Sequence, residues 1–230
     1  MHGNTRTCRH LLASPSAFPR VGEAPLSGTS AGVVRIIGGR WRGSKLPVGD
    51  VAGLRPTPDR VRETLFNWLQ PRLQGARVVD LFAGTGALGL EAASRGAGTV
   101  VLVERDPALA AGLRACALRL AGPDPAPALE IVCDDALHWL RQAPNVRFDI
   151  AFLDPPFAAA LWLPALGVLA PWLADDAWLY LESPSAAAPI AADGWIRHRE
   201  GCTRDVRYAL YRRGTVTLAD VSAEQDPARA

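Results

Sequence analysis

Residues 78–91 read VVDLFAGTGALGLE. The near-continuous apolar run that opens this stretch suits a strand buried on both faces, which is the habit of parallel sheets covered by helices. Gly84, Gly86 and Gly89 follow at once in the spacing G-x-G-x-x-G. Glycine in that place lets the chain turn tightly and lets backbone approach a ligand closely. A helix starting near Ala87 would point its first amides at that ligand. The rest of the chain repeats the strand-then-helix rhythm. RVVDLF, TVVLVE, ALEIVCDD, FDIAFLD and AWLYLES read as strands, and ALGLEAASRGA, PALAAGLRACALRLAG and DALHWLRQA as helices. Pro107 marks a first helical turn, and Gly96 and Gly122 mark helix stops. Residues 158–174 read as one proline-bent helix, and WIRHRE with VRYALYRR as a closing antiparallel pair. The pattern predicts an α/β fold, a doubly wound sheet with right-handed crossovers and an antiparallel last strand.

Ahead of the sheet lies a different kind of segment. VVRIIGG and GSKLPVG predict two short strands around the turn GGRWRG. LRPTPDRVRETLFNWLQ then predicts a helix that starts at Pro58, presents Val61, Leu65, Trp68 and Leu69 on one face, and stops at Pro71. Between Val33 and Arg62 stand Arg35, Arg40, Arg42, Lys45, Arg55, Arg60 and Arg62 against Asp50 and Asp59. That is a local charge of +5 on a chain whose total is +2. Whole-chain charge therefore makes no case for a nucleic-acid partner, but this segment does. Trp41 at the hairpin tip adds a ring on which a base could stack, so the reading is an RNA clamp. The domain organisation follows: residues 1–32 a disordered leader, 33–71 a basic hairpin and helix, 72–213 the catalytic domain, 214–230 a flexible tail. The four cysteines form no C-x-x-C pair, which argues against a zinc ribbon and for a reduced cytoplasmic protein. Apolar runs stay below about 18 residues, so no transmembrane helix is expected.

The glycines serve enzymes that move hydride and enzymes that move methyl. The acids around them bear on the choice. Asp80 lies four residues before Gly84, where it would repel a pyrophosphate but attract the ammonium and sulfonium of S-adenosylmethionine. Glu104 ends the second strand and can accept ribose hydroxyls of either cofactor. Asp135 follows the third strand, where it could accept the adenine amine or simply cap the next helix. The fourth strand runs into Asp154-Pro155-Pro156-Phe157. The amine of a nucleobase is conjugated and a poor nucleophile. The Asp154 carboxylate and the Pro155 carbonyl can accept its two N–H groups, with Pro156 fixing the bend, and so aim the nitrogen lone pair at a methyl donor. Phe157 offers a ring for the extruded base. Such a transfer is dominated by positioning and calls for no metal and no covalent intermediate. Other readings of the same residues are an adenine-N6 nucleic-acid methyltransferase, a nicotinamide-dependent oxidoreductase, and a cofactor-binding RNA chaperone.

RIIGGRWRGSKLPV, LRPTPDRVRETLFNWL, DLFAGTGALGLEAASRGA and DPPF together resemble the RsmD family, from about Val33 to Arg213. The resemblance implies a class I methyltransferase fold, S-adenosylmethionine as cofactor, and methylation of the exocyclic N2 of a guanine in 16S ribosomal RNA. It implies as partner the small ribosomal subunit or its assembly intermediate, met by a monomer without membrane or metal. Carried onto this chain, Asp80, Phe82, Gly84, Gly86, Glu104 and Asp135 would line the cofactor, Asp154 to Phe157 would hold the guanine, and Arg55 to Glu63 would close over both. The leader of residues 1–32 departs from the family pattern.

Overall fold

The computed structural model describes residues 33–48, 58–122, 127–186 and 194–214. The leader, Arg55 and the tail beyond Gly214 lie outside the described residues. The chain opens with an antiparallel hairpin of β1 (Val33–Arg35) and β2 (Lys45–Pro47), followed by α1 (Asp59–Leu73). A seven-stranded sheet follows. Its strands are β3 (Arg77–Asp80), β4 (Thr99–Glu104), β5 (Ala128–Cys133), β6 (Phe148–Leu153), β7 (Leu173–Pro184), β8 (Trp195–Cys202) and β9 (Val206–Arg213). The spatial order is β5-β4-β3-β6-β7-β9-β8. Strands β3 to β7 run parallel, and β9 is antiparallel to both β7 and β8. The chain winds outward from β3 through β4 and β5, then returns to pair β6 on the other side of β3. That reversal makes a crevice beyond the carboxyl ends of β3 and β6, the place where open α/β sheets bind ligands.

Side-chain alternation along each strand explains the unbroken apolar runs. Val78, Leu102, Ile150 and Phe152 face one layer, which holds the hairpin, α1, α2 (Gly89–Ser94) and α3 (Pro107–Leu120). Their neighbours Val79, Val101, Val103, Ala151 and Leu153 face the other, with α4 (Ala136–Leu140) and α5 (Trp162–Leu169). Trp139 stacks on Trp172 at 4.1 Å between ring centroids in that second layer. At the amino end of the sheet Arg77 holds Asp149 through its backbone N–H and its guanidinium, pinning β3 to β6. That pairing holds the Asp149 carboxyl below its ordinary range.

The hairpin belongs to the same core as the sheet. Val34, Ile36, Trp41 and Leu46 are buried with Leu65, Leu69 and Val78. The anchor is Glu91, fully buried on α2, whose carboxylate accepts the N–H groups of Ile37 and Gly38 at 2.7 and 2.8 Å. Ser94 accepts the Trp41 N–H on its hydroxyl and the Arg40 N–H on its carbonyl. Gly39 sits at φ +74°, and a β-carbon there would overlap the Ser94 carbonyl, so only glycine allows this approach.

Four local expectations are corrected. Pro71 does not stop α1, which runs on to Leu73. Proline in the last turn removes one helical hydrogen bond, and the buried Leu69 and Leu73 on either side hold the turn in place. The boundary expected between residues 71 and 72 therefore falls inside that last turn. Helix α2 begins at Gly89 rather than near Ala87, because residues 84–88 are occupied by the glycine turn. The helix expected over 158–174 is three pieces: a 3₁₀ turn at Phe157–Ala159, α5, and a 3₁₀ turn at Ala170–Trp172. Ala160 in the left-handed region breaks the first join, Pro171 opens the second turn, and residues 173 and 174 already belong to β7.

Candidate functional site

The crevice at the switch point is a cleft of ≈ 710 Å³. Its walls include Asp80, Phe82 and Gly84 after β3, Glu104 after β4, Asp134 and Asp135 after β5, Asp154 to Phe157 after β6, and Glu182 on β7. The turn joining β8 to β9 contributes Thr203, Asp205 and Val206, and Pro58 at the start of α1 closes one side. One cleft thus gathers the expected cofactor loop and the D-P-P-F loop, seventy residues apart in the chain. Among the described residues, Asp80, Glu104, Asp106, Asp134, Asp135, Asp154, Glu182 and Asp205 line it against one basic residue, Arg105. So acidic a wall suits a cationic or neutral ligand and opposes a pyrophosphate.

Two buried carboxylates shape the floor. Asp80 is 2% exposed and accepts the Gly89 N–H at 2.9 Å. Burial pushes its carboxyl up to about 7, with the charge of Glu104 adding to the effect and the N–H groups of Gly89 and Phe82 opposing it. Glu104 accepts the Gly84 N–H on one oxygen and the Asp106 N–H on the other, both at 2.8 Å. The acid that would hold ribose hydroxyls is therefore also the clamp on the glycine loop. Gly84 and Gly86 both take positive φ, 52° and 76°. A β-carbon on Gly86 would press on Leu113 and Leu90. Glycine there lets the loop pack against α2 and α3. The first amide of α2 is taken by Asp80, so it is not aimed at a ligand.

Asp135 is the N-cap of α4, accepting the N–H groups of Leu137 and His138 on Oδ1. It lines the cleft as well. Asp154 follows the last residue of β6, with Pro155 buried, Pro156 exposed and Phe157 37% exposed. The Phe157 ring lies 6.0 Å from Trp162, whose indole N–H donates to the Glu182 carbonyl.

On the basic segment, Arg35, Arg40, Arg42, Lys45 and Arg60 are exposed. Two members of the expected clamp are not. Trp41 is 8% exposed and sits in the core, where its ring cannot stack on a base. Arg62 is fully buried and donates to the Arg35 carbonyl at 3.0 Å and to Asp59 at 2.6 Å, with Glu91 at 3.7 Å. It ties α1 to the hairpin. Sequence reasoning missed Asp106, Glu182, Thr203 and Asp205. The Asp106–Pro107 pair was a legible helix cap, and an acid inside AWLYLES was a legible anomaly. Nothing local marks Thr203 or Asp205, which a distant turn delivers.

A family model described as "Conserved hypothetical protein 95" matches residues 34–212. The chain belongs to the RsmD family of methyltransferases. Ribosomal RNA small subunit methyltransferase D of Escherichia coli is 44% identical over 189 residues, covering 80% of this chain and 92% of that one. Its Haemophilus influenzae counterpart is 41% identical, covering 78% and 94%. A solved Escherichia coli structure, yhhF, described as a candidate methyltransferase, matches with a TM-score of 0.71 and 42% identity over 80% of this chain and all of that one. The chain thus has a class I methyltransferase fold with an added hairpin and helix.

Proposed function

We propose that this protein transfers a methyl group from S-adenosylmethionine to the exocyclic N2 of a guanine in 16S ribosomal RNA, acting in the cytoplasm on the small subunit or its assembly intermediate. The observation that carries the reading is the convergence of Asp154–Phe157 with Asp80, Gly84 and Glu104 on one acidic cleft. The residues fit that cofactor: Glu104 and the Gly84 turn can take its ribose, Asp135 its adenine, and the buried Asp80 charge favours its cationic end. Bound there, the cofactor supplies an electrophilic methyl carbon on a sulfonium.

The chain's own residues do the rest by placement. The Asp154 carboxylate and the Pro155 carbonyl accept the two N–H groups of the guanine amine, drawing the nitrogen toward tetrahedral form. Asp154 is then placed to take a proton as the new N–C bond forms. Phe157 stacks on the base once it has left its helix. Arg35, Arg40, Arg42, Lys45 and Arg60 hold RNA phosphates on the hairpin side. The relatives' printed names, which say ribosomal RNA small subunit, support the choice of substrate.

The test is to incubate the purified protein and labelled methyl donor with small subunits from a strain lacking the enzyme, then digest the RNA and identify the labelled nucleoside. N2-methylguanosine at one position is expected. Label in N6-methyladenosine, or no label in RNA, would refute the assignment.

A further inference from the structure

The cleft contains a second buried acid beside the D-P-P-F loop that the mechanism above does not use. Glu182 is 3% exposed and stands near the end of β7, where it lines the cleft. In the β6–β7 register Phe152 pairs Tyr180 and Leu153 pairs Leu181; Asp154 and Glu182 are the next residue on each side, and both line the cleft. The fully buried Tyr180 donates its hydroxyl to Glu182 Oε1 at 2.7 Å. Burial and the neighbouring Glu182 charge push the Tyr180 phenol well above its ordinary range, so it stays a donor. The Tyr180 hydroxyl occupies one oxygen of a carboxylate that lines the same cleft as Asp154.

The two bases weighed for this site differ at the atom that would meet that charge. Guanine carries an N1–H next to its N2 amine, so an acidic pair can accept from both. Adenine carries a bare N1 lone pair next to its N6 amine, and a carboxylate facing it is repelled. Building on the methyltransferase reading, we propose that Glu182 is the residue by which the site selects guanine, its carboxylate accepting the N1–H while Asp154 and Pro155 hold the amine. A pocket built around such a hydrogen bond rejects an analogue that lacks the donor far more strongly than it would reject a change in apolar shape.

2-Aminopurine tests this directly, because it keeps the N2 amine and replaces N1–H by a lone pair. Small subunits reconstituted with guanine or 2-aminopurine at the methylated position would be assayed with the full-length protein for kcat/KM. The wild type should prefer guanine by about 100-fold or more. In Glu182→Gln, whose side-chain amide can donate to N1, the preference should shrink to roughly tenfold or less, while S-adenosylmethionine binding is kept. Tyr180→Phe frees one oxygen of Glu182 and should narrow the preference several-fold, which keeps the question answerable if Glu182→Gln fails to fold. Equal use of the two bases by the wild type, or a ratio unmoved in the variants, would overturn the role of Glu182 while leaving methyl transfer standing. Absence of any transfer to guanine by the wild type would overturn the methyltransferase reading itself, and this one with it.

Discussion

Around Gly84 the cleft wall is backbone tied to buried acids, whereas beyond Asp154 it is a proline bend that ends in exposed residues. Asp80 and Glu104 together accept three backbone N–H groups at 2.8–2.9 Å, so the loop is held before any ligand arrives. At the other end Pro156 and Phe157 are exposed, and Ala160 just beyond takes a left-handed conformation. The proline rings add stiffness there. The difference suits the two tasks. A small cofactor needs a preformed pocket, while a base on a large RNA needs an open shelf with a few fixed acceptors. The hairpin and α1 repeat the contrast on a larger scale: Trp41 and Arg62 are buried, and Arg40 and Arg42 are exposed.

Four perturbations would break or sharpen this contrast. The largest effect belongs to the shelf: Asp154→Ala should slow methyl transfer by about 10³-fold while changing S-adenosylmethionine affinity only a few-fold, read by single-turnover labelling and calorimetry. Parallel losses would make Asp154 a structural residue of the pocket. Next comes the buried anchor. Glu91→Gln strips the charge facing Arg62 and Arg95 and should destabilise the protein by about 3 kcal/mol in denaturant titration. A change below about 1 kcal/mol would show the hairpin to be held by packing alone.

The third effect is one of pH. Asp80 has a folded pKa of about 7 against an ordinary 3.8. A cationic ligand favours the ionised form, so S-adenosylmethionine affinity should fall up to about tenfold per pH unit below 7 and level off above it. For the free protein the sign is opposite. The fold binds the extra proton, so the Asp80 contribution to stability is full below about pH 4 and lost as pH rises through 7. Asp80→Asn should flatten both profiles; an unchanged affinity profile would exclude Asp80 as its source. The smallest effect is at the surface. Replacing Arg40 and Arg42 together should weaken RNA binding and lower the salt slope by about 2. An unaltered slope would remove the hairpin from the RNA contact.

The sheet was legible because both its period and its punctuation are local. Val78 to Asp80 and Thr99 to Glu104 are strands that need covering on both faces, and the glycines mark the turn between them. The D-P-P-F loop was legible for the same reason: acid, prolines and ring stand next to one another in the chain. What failed were statements about the neighbourhood of a single side chain. Trp41 and Arg62 look like RNA contacts in a basic segment, and only the packing of the hairpin on Ser94 and Glu91 turns them inward. Gly86 looks like a cofactor contact, and only its neighbours Leu90 and Leu113 show that packing also requires a glycine there. Glu182 reaches the site through strand pairing over a separation of 28 residues from Asp154, which no local pattern records.

The central claim divides the cleft between a methyl donor on the Gly84 side and a base on the Asp154 side. A crystal structure with S-adenosylhomocysteine tests it most directly. The account predicts the ribose hydroxyls on Glu104, the adenine beside Asp135, and the sulfur facing the open shelf at Asp154. A ligand whose ribose lies against Thr203 to Val206, with its sulfur turned away from Asp154, would contradict it.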